Sequence, residues 1–259
     1  MKILLLGKNG QVGWELQRAL APLGELIALD RRGSDGLCGD LERLDALADT
    51  VQRLAPDLVV NAAAYTAVDQ AESDAERARR INADAVGVLA GQAAELGALL
   101  VHYSTDYVFD GTKGSPYVET DTPNPLSVYG QTKLEGEQAV AASGCVNLVL
   151  RTSWVYSMRQ GGFVTKVLQW AREQEVMRVV DDQISGPTSA RMLAEITALI
   201  LAQGRDDVFG YLKEKGGLYH CAGGGFCSRY EWAKAILELD PHKEEHRNRV
   251  DPSLSGSFP

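Results

Sequence analysis

Gly7-Lys8-Asn9-Gly10-Gln11-Val12-Gly13 decides how the chain is read. It joins a short apolar run, Ile3 to Leu6, to Val12, Leu16, Ala19 and Leu20, which recur at helical spacing. In a Gly-x-x-Gly-x-x-Gly turn the first glycine permits a tight reversal and the second lets backbone approach a pyrophosphate. The third lets the helix pack close on the strand. The N–H groups of the helix start and its macrodipole then favour a diphosphate. Gly7, Gly10, Gln11, Val12 and Gly13 are therefore candidate dinucleotide contacts. Three spaced glycines among 26 also fit an ordinary strand–helix turn. Position favours the first reading, because Asp30 closes the next apolar run, Leu26 to Leu29, about 20 residues further on.

Asp30 can accept from a ribose 2′-hydroxyl, which selects NADH. Arg31 and Arg32 can pair with a 2′-phosphate, which selects NADPH. Asp40 either bonds the adenine amino group or caps the helix that follows.

Outward from the turn, strands and helices alternate. Leu58-Val59-Val60 ends in Asn61-Ala62-Ala63-Ala64, and residues 75–97 are Ala-rich and helix-favouring. Ala98 to Tyr103 reads as a strand ending at Ser104-Thr105, 129–142 as a helix and Asn147 to Leu150 as a strand. Alternation implies right-handed βαβ crossovers. The fold class is α/β: a Rossmann-type doubly wound parallel sheet with a small C-terminal lobe. Residues 1–155 form the dinucleotide-binding domain, completed by sheet elements from about 176–225. Residues from about 156 to 259 are mainly a substrate lobe, with a helix at 162–174, a run at Arg178-Val179-Val180, helices at Ala190–Ala202 and Tyr230–Leu239 and a late strand at Gly216-Gly217-Leu218-Tyr219-His220. The stretch from Pro241 is charged, then rich in Ser, Pro and Gly, and is expected to form no core element.

Composition excludes several alternatives. The 259 residues are 45% hydrophobic, which argues against a mainly disordered chain. A net charge of −9 gives no global basic surface for nucleic acid or anionic membrane. No apolar run reaches the roughly 18 residues of a membrane helix, and Lys8, Asn9 and Gln11 interrupt the opening run before it resembles a signal segment. Cys38, Cys145, Cys221 and Cys227 are scattered, without a Cys-x-x-Cys pair. A reducing, cytoplasmic setting is expected.

Tyr129-Gly130-Gln131-Thr132-Lys133 sets a phenol and an ammonium four apart, on one helical face. A nearby positive charge lowers a tyrosine pKa, which makes the phenol a usable general acid for the oxygen of a reducing carbonyl. The lysine can also hold a nicotinamide ribose. The plainer reading is a packed tyrosine beside a solvated lysine. Thr105, at a strand carboxyl end, can bond the same substrate oxygen; Ser104 and Asp106 flank it and can serve instead or satisfy the turn.

These residues resemble the dTDP-4-dehydrorhamnose reductase family of the extended short-chain dehydrogenase/reductase superfamily. The resemblance lies in Lys2 to Leu16, Asn61-Ala62-Ala63-Ala64-Tyr65-Thr66-Ala67-Val68-Asp69 and Ser104-Thr105-Asp106-Tyr107-Val108-Phe109-Asp110-Gly111. It continues in Val128 to Lys133, Arg151-Thr152-Ser153-Trp154-Val155-Tyr156 and Gly186-Pro187-Thr188. It implies NAD(P)H-dependent reduction of the C4 keto group of dTDP-4-dehydro-L-rhamnose. Tyr129 is then the proton donor, Lys133 its partner and ribose anchor, and Thr105 the second hydroxyl. Gly10, Gln11, Val12, Asp30, Asp40, Leu41, Ala62, Ala63, Ala64, Tyr65 and Thr66 are implied for the dinucleotide. Val68, Ser104, Thr105, Asp106, Tyr129 and Trp154 are implied for the nucleotide-sugar. An indole suits a sugar face, though core packing explains Trp154 equally well. A homodimer is implied too, with Mg²⁺ in some members near the interface. No metal is required, and Glu15 and Glu195 are the acidic side chains to consider.

The Arg-Pro-x-Asn-Ser segment usual in the family's C-terminal part is absent from 241–259, where His246-Arg247-Asn248-Arg249 stands, and the chain closes on Ser257-Phe258-Pro259. A shortened substrate lobe is the expectation. Two other readings stay open. A nucleotide-sugar epimerase or dehydratase would recycle its hydride, but dehydratases carry an acid pair after the threonine, and Asp106-Tyr107 contains no Glu. A non-catalytic dinucleotide-binding subunit, like the regulatory subunit of methionine adenosyltransferase, would not need Thr105, Tyr129 and Lys133 together.

Overall fold

The computed structural model describes residues 1–159, 161–204, 206–247 and 249–257. Asn248, Phe258 and Pro259 of the C-terminal stretch therefore lie outside the described residues. The chain divides into two compact units, Met1–Thr152 with Leu193–Cys221, and Ser153–Met192 with Ala222–Pro259.

In the first unit, Lys2–Leu6 (β1), Glu25–Leu29 (β2), Leu58–Asn61 (β3), Leu99–Thr105 (β4) and Val146–Thr152 (β5) join Gly217–His220 in one six-stranded sheet. All neighbours are parallel, in the order β2-β1-β3-β4-β5-(Gly217–His220). Strands β3 and β4 are buried at every residue, as continuous apolar runs covered on both faces should be. The order reverses between β1 and β3. A crevice outside the carboxyl ends of strands opens at such a switch point.

Helices Gln11–Leu20 (α1), Leu44–Leu54 (α2), Val68–Ala71 (α3), Ala75–Arg79 (α4), Ala85–Leu96 (α5) and Val128–Ser143 (α6) accompany the sheet. Leu47 and Val51 of α2, with Val86, Leu89, Ala90 and Ala93 of α5, share a core with Leu4, Leu6, Val59, Leu100 and Val149 of the sheet. The Ala-rich stretch is not one regular helix. A π turn, Arg80–Asp84, separates α4 from α5 and turns Asn82 inward, 1% exposed. Strand β4 ends at Thr105, where the sequence places its end.

Two glycines of the opening turn are sterically required. Gly7 has φ +87, and a Cβ there would sit 2.7 Å from the Ala63 nitrogen; at Gly13 it would sit 2.1 Å from the Gly7 carbonyl oxygen. The first closeness seats the β1 turn against the backbone after β3, and the second seats α1 against the turn. Gly13→Ala is expected to lower the thermal midpoint by an overpacking cost of about 1–3 kcal/mol. Gly91→Ala, inside α5 where an added Cβ would meet nothing within 4 Å, is expected to raise it. Equal midpoints in the two variants would contradict this.

In the second unit, Phe163–Glu173 and Arg229–Leu239 pack through Val167 and Ala233 against Met177 and Val179 of the strand Val176–Val180. Arg229–Leu239 starts with a capping box, Ser228 with Glu231. Contrary to the expectation for the stretch after Pro241, Arg249–Ser253 is a strand, parallel to Val176–Val180, and Val250 packs on that core. Between 176 and 225, Gly217–His220 is the strand that joins the six-stranded sheet. Val176–Val180 and Ile184–Ser185 pair instead with Arg249–Ser253 and Cys227–Ser228.

Asp240 ties this C-terminal stretch down. It accepts from Arg172 Nη2 at 2.7 Å, His246 Nε2 at 2.8 Å and the His242 amide at 3.1 Å. Burial pushes its carboxyl up, but those hydrogen bonds outweigh burial and hold it at about 2. A depressed carboxyl stabilises fully above its unfolded pKa, and the gain vanishes as pH falls through the folded value. Asp240→Asn should therefore unfold at lower temperature than the parent at pH 5, and the gap should close between about pH 4 and 2. A gap unchanged at pH 2 would contradict the pairing.

Candidate active site

The glycine turn and the loop after β3 form one continuous backbone surface. Ala62 donates its amide to the Leu6 carbonyl at 3.0 Å, and Gly7 lies against Ala62 and Ala63. No side chain caps α1 at Gly10. Gly10 is exposed at ordinary backbone angles, and a Cβ there would come no closer than 3.4 Å to its own turn. The chain itself therefore supplies no steric reason for that glycine, whereas a ligand lying on the helix start would. At the end of β2, Asp30 accepts from Asn9 Nδ2 at 2.7 Å and from the Arg32 amide at 2.9 Å. The exposed Arg31 pairs with Glu42 at 2.8 Å and Asp40 at 3.5 Å. Asp40 does not cap α2. Its carboxylate accepts from the Glu42 amide at 3.1 Å, and the α2 cap position is Arg43. The donor set, a bare helix start beside an acid and a guanidinium, fits a dinucleotide.

Tyr65 and Thr66 leave β3 toward α3, whose first residue is Val68. Asn82 fixes this loop. Its Oδ1 accepts from the Tyr65 amide at 2.9 Å, and its Nδ2 donates to the Tyr65 carbonyl at 3.1 Å and to Thr132 Oγ1 at 3.2 Å. One buried amide thus links the loop after β3 to α6. The Tyr65 side chain is turned away from that pair: its hydroxyl donates to Asp74 at 3.2 Å.

Helix α6 brings Tyr129 to Thr105. Ser127 caps it by accepting from the Gly130 amide at 3.1 Å. Gly130 lets its first turn press on the bend after β4, where a Cβ would lie 2.2 Å from the Tyr107 carbonyl oxygen. The Tyr107 and Tyr129 rings then meet edge to face at 5.5 Å. Burial pushes the Tyr129 phenol up to about 12; its hydrogen bond with Thr105 works against that rise, and Asp106 and Tyr107 add to it. The direction is opposite to the lowering expected from Lys133. The reason is that the lysine is engaged elsewhere: Nζ lies 2.7 Å from the Tyr103 carbonyl oxygen, to which it donates, and 3.1 Å from His102 Nε2. Lys133 is 1% exposed, and burial pushes it down to about 8 despite the nearby Glu137.

Thr105, Asp106 and Tyr129 come together, with Thr105 Oγ1 donating to Asp106 at 3.2 Å. Ser104 does not join them: it is buried, and its hydroxyl donates to Glu137, which also takes a two-pronged ion pair from Arg151 at 2.9 and 2.6 Å. The side chain of Leu41 belongs to the core, so any dinucleotide contact there falls to backbone. Glu15 is held by Arg18 at 3.3 Å, which also reaches Glu195 at 3.6 Å, so the expectation of Mg²⁺ there gains no support. Among the described residues, His242, Glu244 and Glu245 are the acidic or histidine group with metal-ligand spacing, and all three are exposed. In the second unit Trp154 has φ +39 and stacks on Trp232 at 5.6 Å, with the Arg229 guanidinium 4.1 Å from its ring centre. The packing reading of that indole is thus realised within its own unit. Asn61, Asn82 and His102 are among the buried polar residues that the sequence reading left without a role.

The RmlD substrate binding domain family matches residues 1–259. The dTDP-4-dehydrorhamnose reductase of Escherichia coli K12 is 48% identical over 240 residues, covering 92% of this chain and 78% of that one. A crystal structure of a dTDP-4-dehydrorhamnose reductase from Clostridium acetobutylicum superposes with a TM-score of 0.87 at 35% identity, over 100% of this chain and 86% of that one. The Bacillus anthracis dTDP-4-dehydrorhamnose reductase in complex with NADP gives 0.86 at 32% identity, with the same coverage. No described helix is long and apolar enough to cross a membrane. By sequence and by fold, the chain belongs to the dTDP-4-dehydrorhamnose reductase family.

Proposed function

We propose that the chain reduces the C4 keto group of dTDP-4-dehydro-L-rhamnose to give dTDP-L-rhamnose, using NADPH or NADH. The observation that carries this reading is the meeting of Thr105, Asp106 and Tyr129 at the carboxyl end of β4, on the sheet whose β1 turn fits a dinucleotide. In this reading the first unit binds the dinucleotide along Gly7–Gly13, Asp30 and Ala62–Thr66, and the second unit is the substrate lobe. Val68, Thr105 and Asp106 of the first unit meet the nucleotide-sugar. A relative bound to NADP supports the cofactor class.

When bound, the reduced dinucleotide supplies the hydride. The chain's own part is to polarise the keto oxygen and then protonate it. Thr105 and Tyr129 offer two hydroxyl donors to that oxygen. A phenol pushed up to about 12 stays protonated across the neutral range, so it is a donor at rest and not a base. As the keto oxygen becomes an alkoxide it grows more basic than a phenolate, and proton transfer from Tyr129 runs downhill. Lys133, four residues on, is held by the Tyr103 carbonyl and His102, and its part is to anchor the nicotinamide ribose.

Tyr129→Phe should cut kcat by about 10²–10⁴-fold while NADPH affinity, read by fluorescence, changes little. Near-parental turnover in that variant would remove Tyr129 from the chemistry. Arg31→Ala should lower kcat/KM with NADPH by about tenfold or more, since one charge-assisted hydrogen bond to a 2′-phosphate is lost. The value with NADH should stay close to the parent. An equal loss with both dinucleotides would exclude Arg31 from 2′-phosphate recognition.

A further inference from the structure

His102 stands on β4, fully buried, between two side chains. Asn61 Nδ2 lies 3.3 Å from its Nδ1, and Lys133 Nζ lies 3.1 Å from its Nε2. The Asn61 amide has one permitted orientation, because its Oδ1 accepts from the Ala63 amide at 3.1 Å. A flip would set two N–H groups against each other. Asn61 therefore donates to Nδ1, which must carry a lone pair. A neutral imidazole has one N–H and one lone pair, so the hydrogen sits on Nε2 and points at Lys133. An ammonium has no lone pair to receive it. A neutral amine does: it accepts from Nε2–H, donates one hydrogen to the Tyr103 carbonyl and keeps one for a further partner.

We propose that His102 is a positioning residue that governs Lys133: held by Asn61 with its hydrogen on Nε2, it presents an N–H to the lysine, favours the neutral amine and leaves one amine hydrogen aimed for the nicotinamide ribose. The ribose rests on the reductase reading; the hydrogen-bond chain does not. The charged and titratable groups facing the pair agree with it. Burial lowers His102 well below the usual histidine range, so the ring stays neutral in either charge state of Lys133. Glu137, one turn along α6, favours the ammonium, but Ser104 and Arg151 both bond its carboxylate. On the bend after β4, Asp106 and Tyr107 act on the Tyr129 phenol. The consequence is mechanistic. The Nε2–H contact holds down the basicity of Lys133 until a new partner takes its place, which ties the lysine's charge to an occupied site.

The test reads the histidine directly. In the ¹⁵N-histidine spectrum of the cofactor-free protein, one of the four rings, unlike the partly or fully exposed His220, His242 and His246, should stay neutral through mildly acidic pH with hydrogen on Nε2. Asn61→Asp replaces the donor with a carboxylate. The hydrogen should move to Nδ1, Nε2 should offer Lys133 a lone pair, and the alkaline limb of kcat/KM should rise by about one pH unit or more. A buried ring with hydrogen on Nδ1 in the parent overturns the proposal, as does a folded Asn61→Asp variant with unchanged tautomer and limb. If that variant does not fold, the parent spectrum decides alone. Absence of NADPH oxidation by the parent would instead fault the reductase reading and leave the histidine result standing.

Discussion

The close docking of α6 on β4 and on the π turn is the constraint from which the site follows. The face that α6 buries is not apolar: it comprises Gly130, Thr132, Lys133, Gly136, Glu137 and Val140. Such a face cannot be driven home by hydrophobic burial alone, because each polar group costs free energy unless it is bonded. Two glycines make the approach sterically possible. A Cβ at Gly130 would lie 2.2 Å from the Tyr107 carbonyl oxygen, and one at Gly136 2.2 Å from that of Asn82. The polar groups are then matched one by one: Thr132 to Asn82, Lys133 to His102 and Tyr103, Glu137 to Arg151 and Ser104. Removing one partner from a buried pair such as Glu137–Arg151 costs about 3–5 kcal/mol. That face fixes register as well as position.

A helix held in this way carries its first turn to a defined place. Tyr129 meets Thr105 because the Ser127 cap and Gly130 bring the start of α6 onto the bend after β4. Asn82 extends the same docking to the loop after β3, which in turn abuts the Gly7 turn. The candidate dinucleotide surface and the proposed proton donor are therefore parts of one packed arrangement within the first unit. The sheet order supplies the crevice and α6 sets Tyr129 at its side.

Much of this was legible in the sequence. The glycine turn, all six sheet strands to within a few residues and the Tyr129–Lys133 spacing follow from local patterns, because parallel buried strands and helix-start turns leave strong signatures. Helix α2 entered that reading only as the helix after Asp40, although Leu44, Leu47, Val51 and Leu54 recur at helical spacing. Other features are tertiary. Asn82 gains its role only because a π turn rotates it inward, and no propensity marks that turn. Arg249–Ser253, with one packed valine and a proline, becomes a strand through pairing with residues some 70 positions earlier. The rise of the Tyr129 pKa shows the same limit. Spacing on a helix says that a lysine is near, but not that His102 and a carbonyl already hold it.

The central claim is net reduction by the chain's own proton donor, and the stoichiometry of NADPH and nucleotide-sugar measures it most directly. With purified protein, NADPH and dTDP-4-dehydro-L-rhamnose, the account predicts one NADPH oxidised for each dTDP-L-rhamnose formed. Conversion of the sugar with no net loss of NADPH would contradict it, because the hydride would then be recycled within the site.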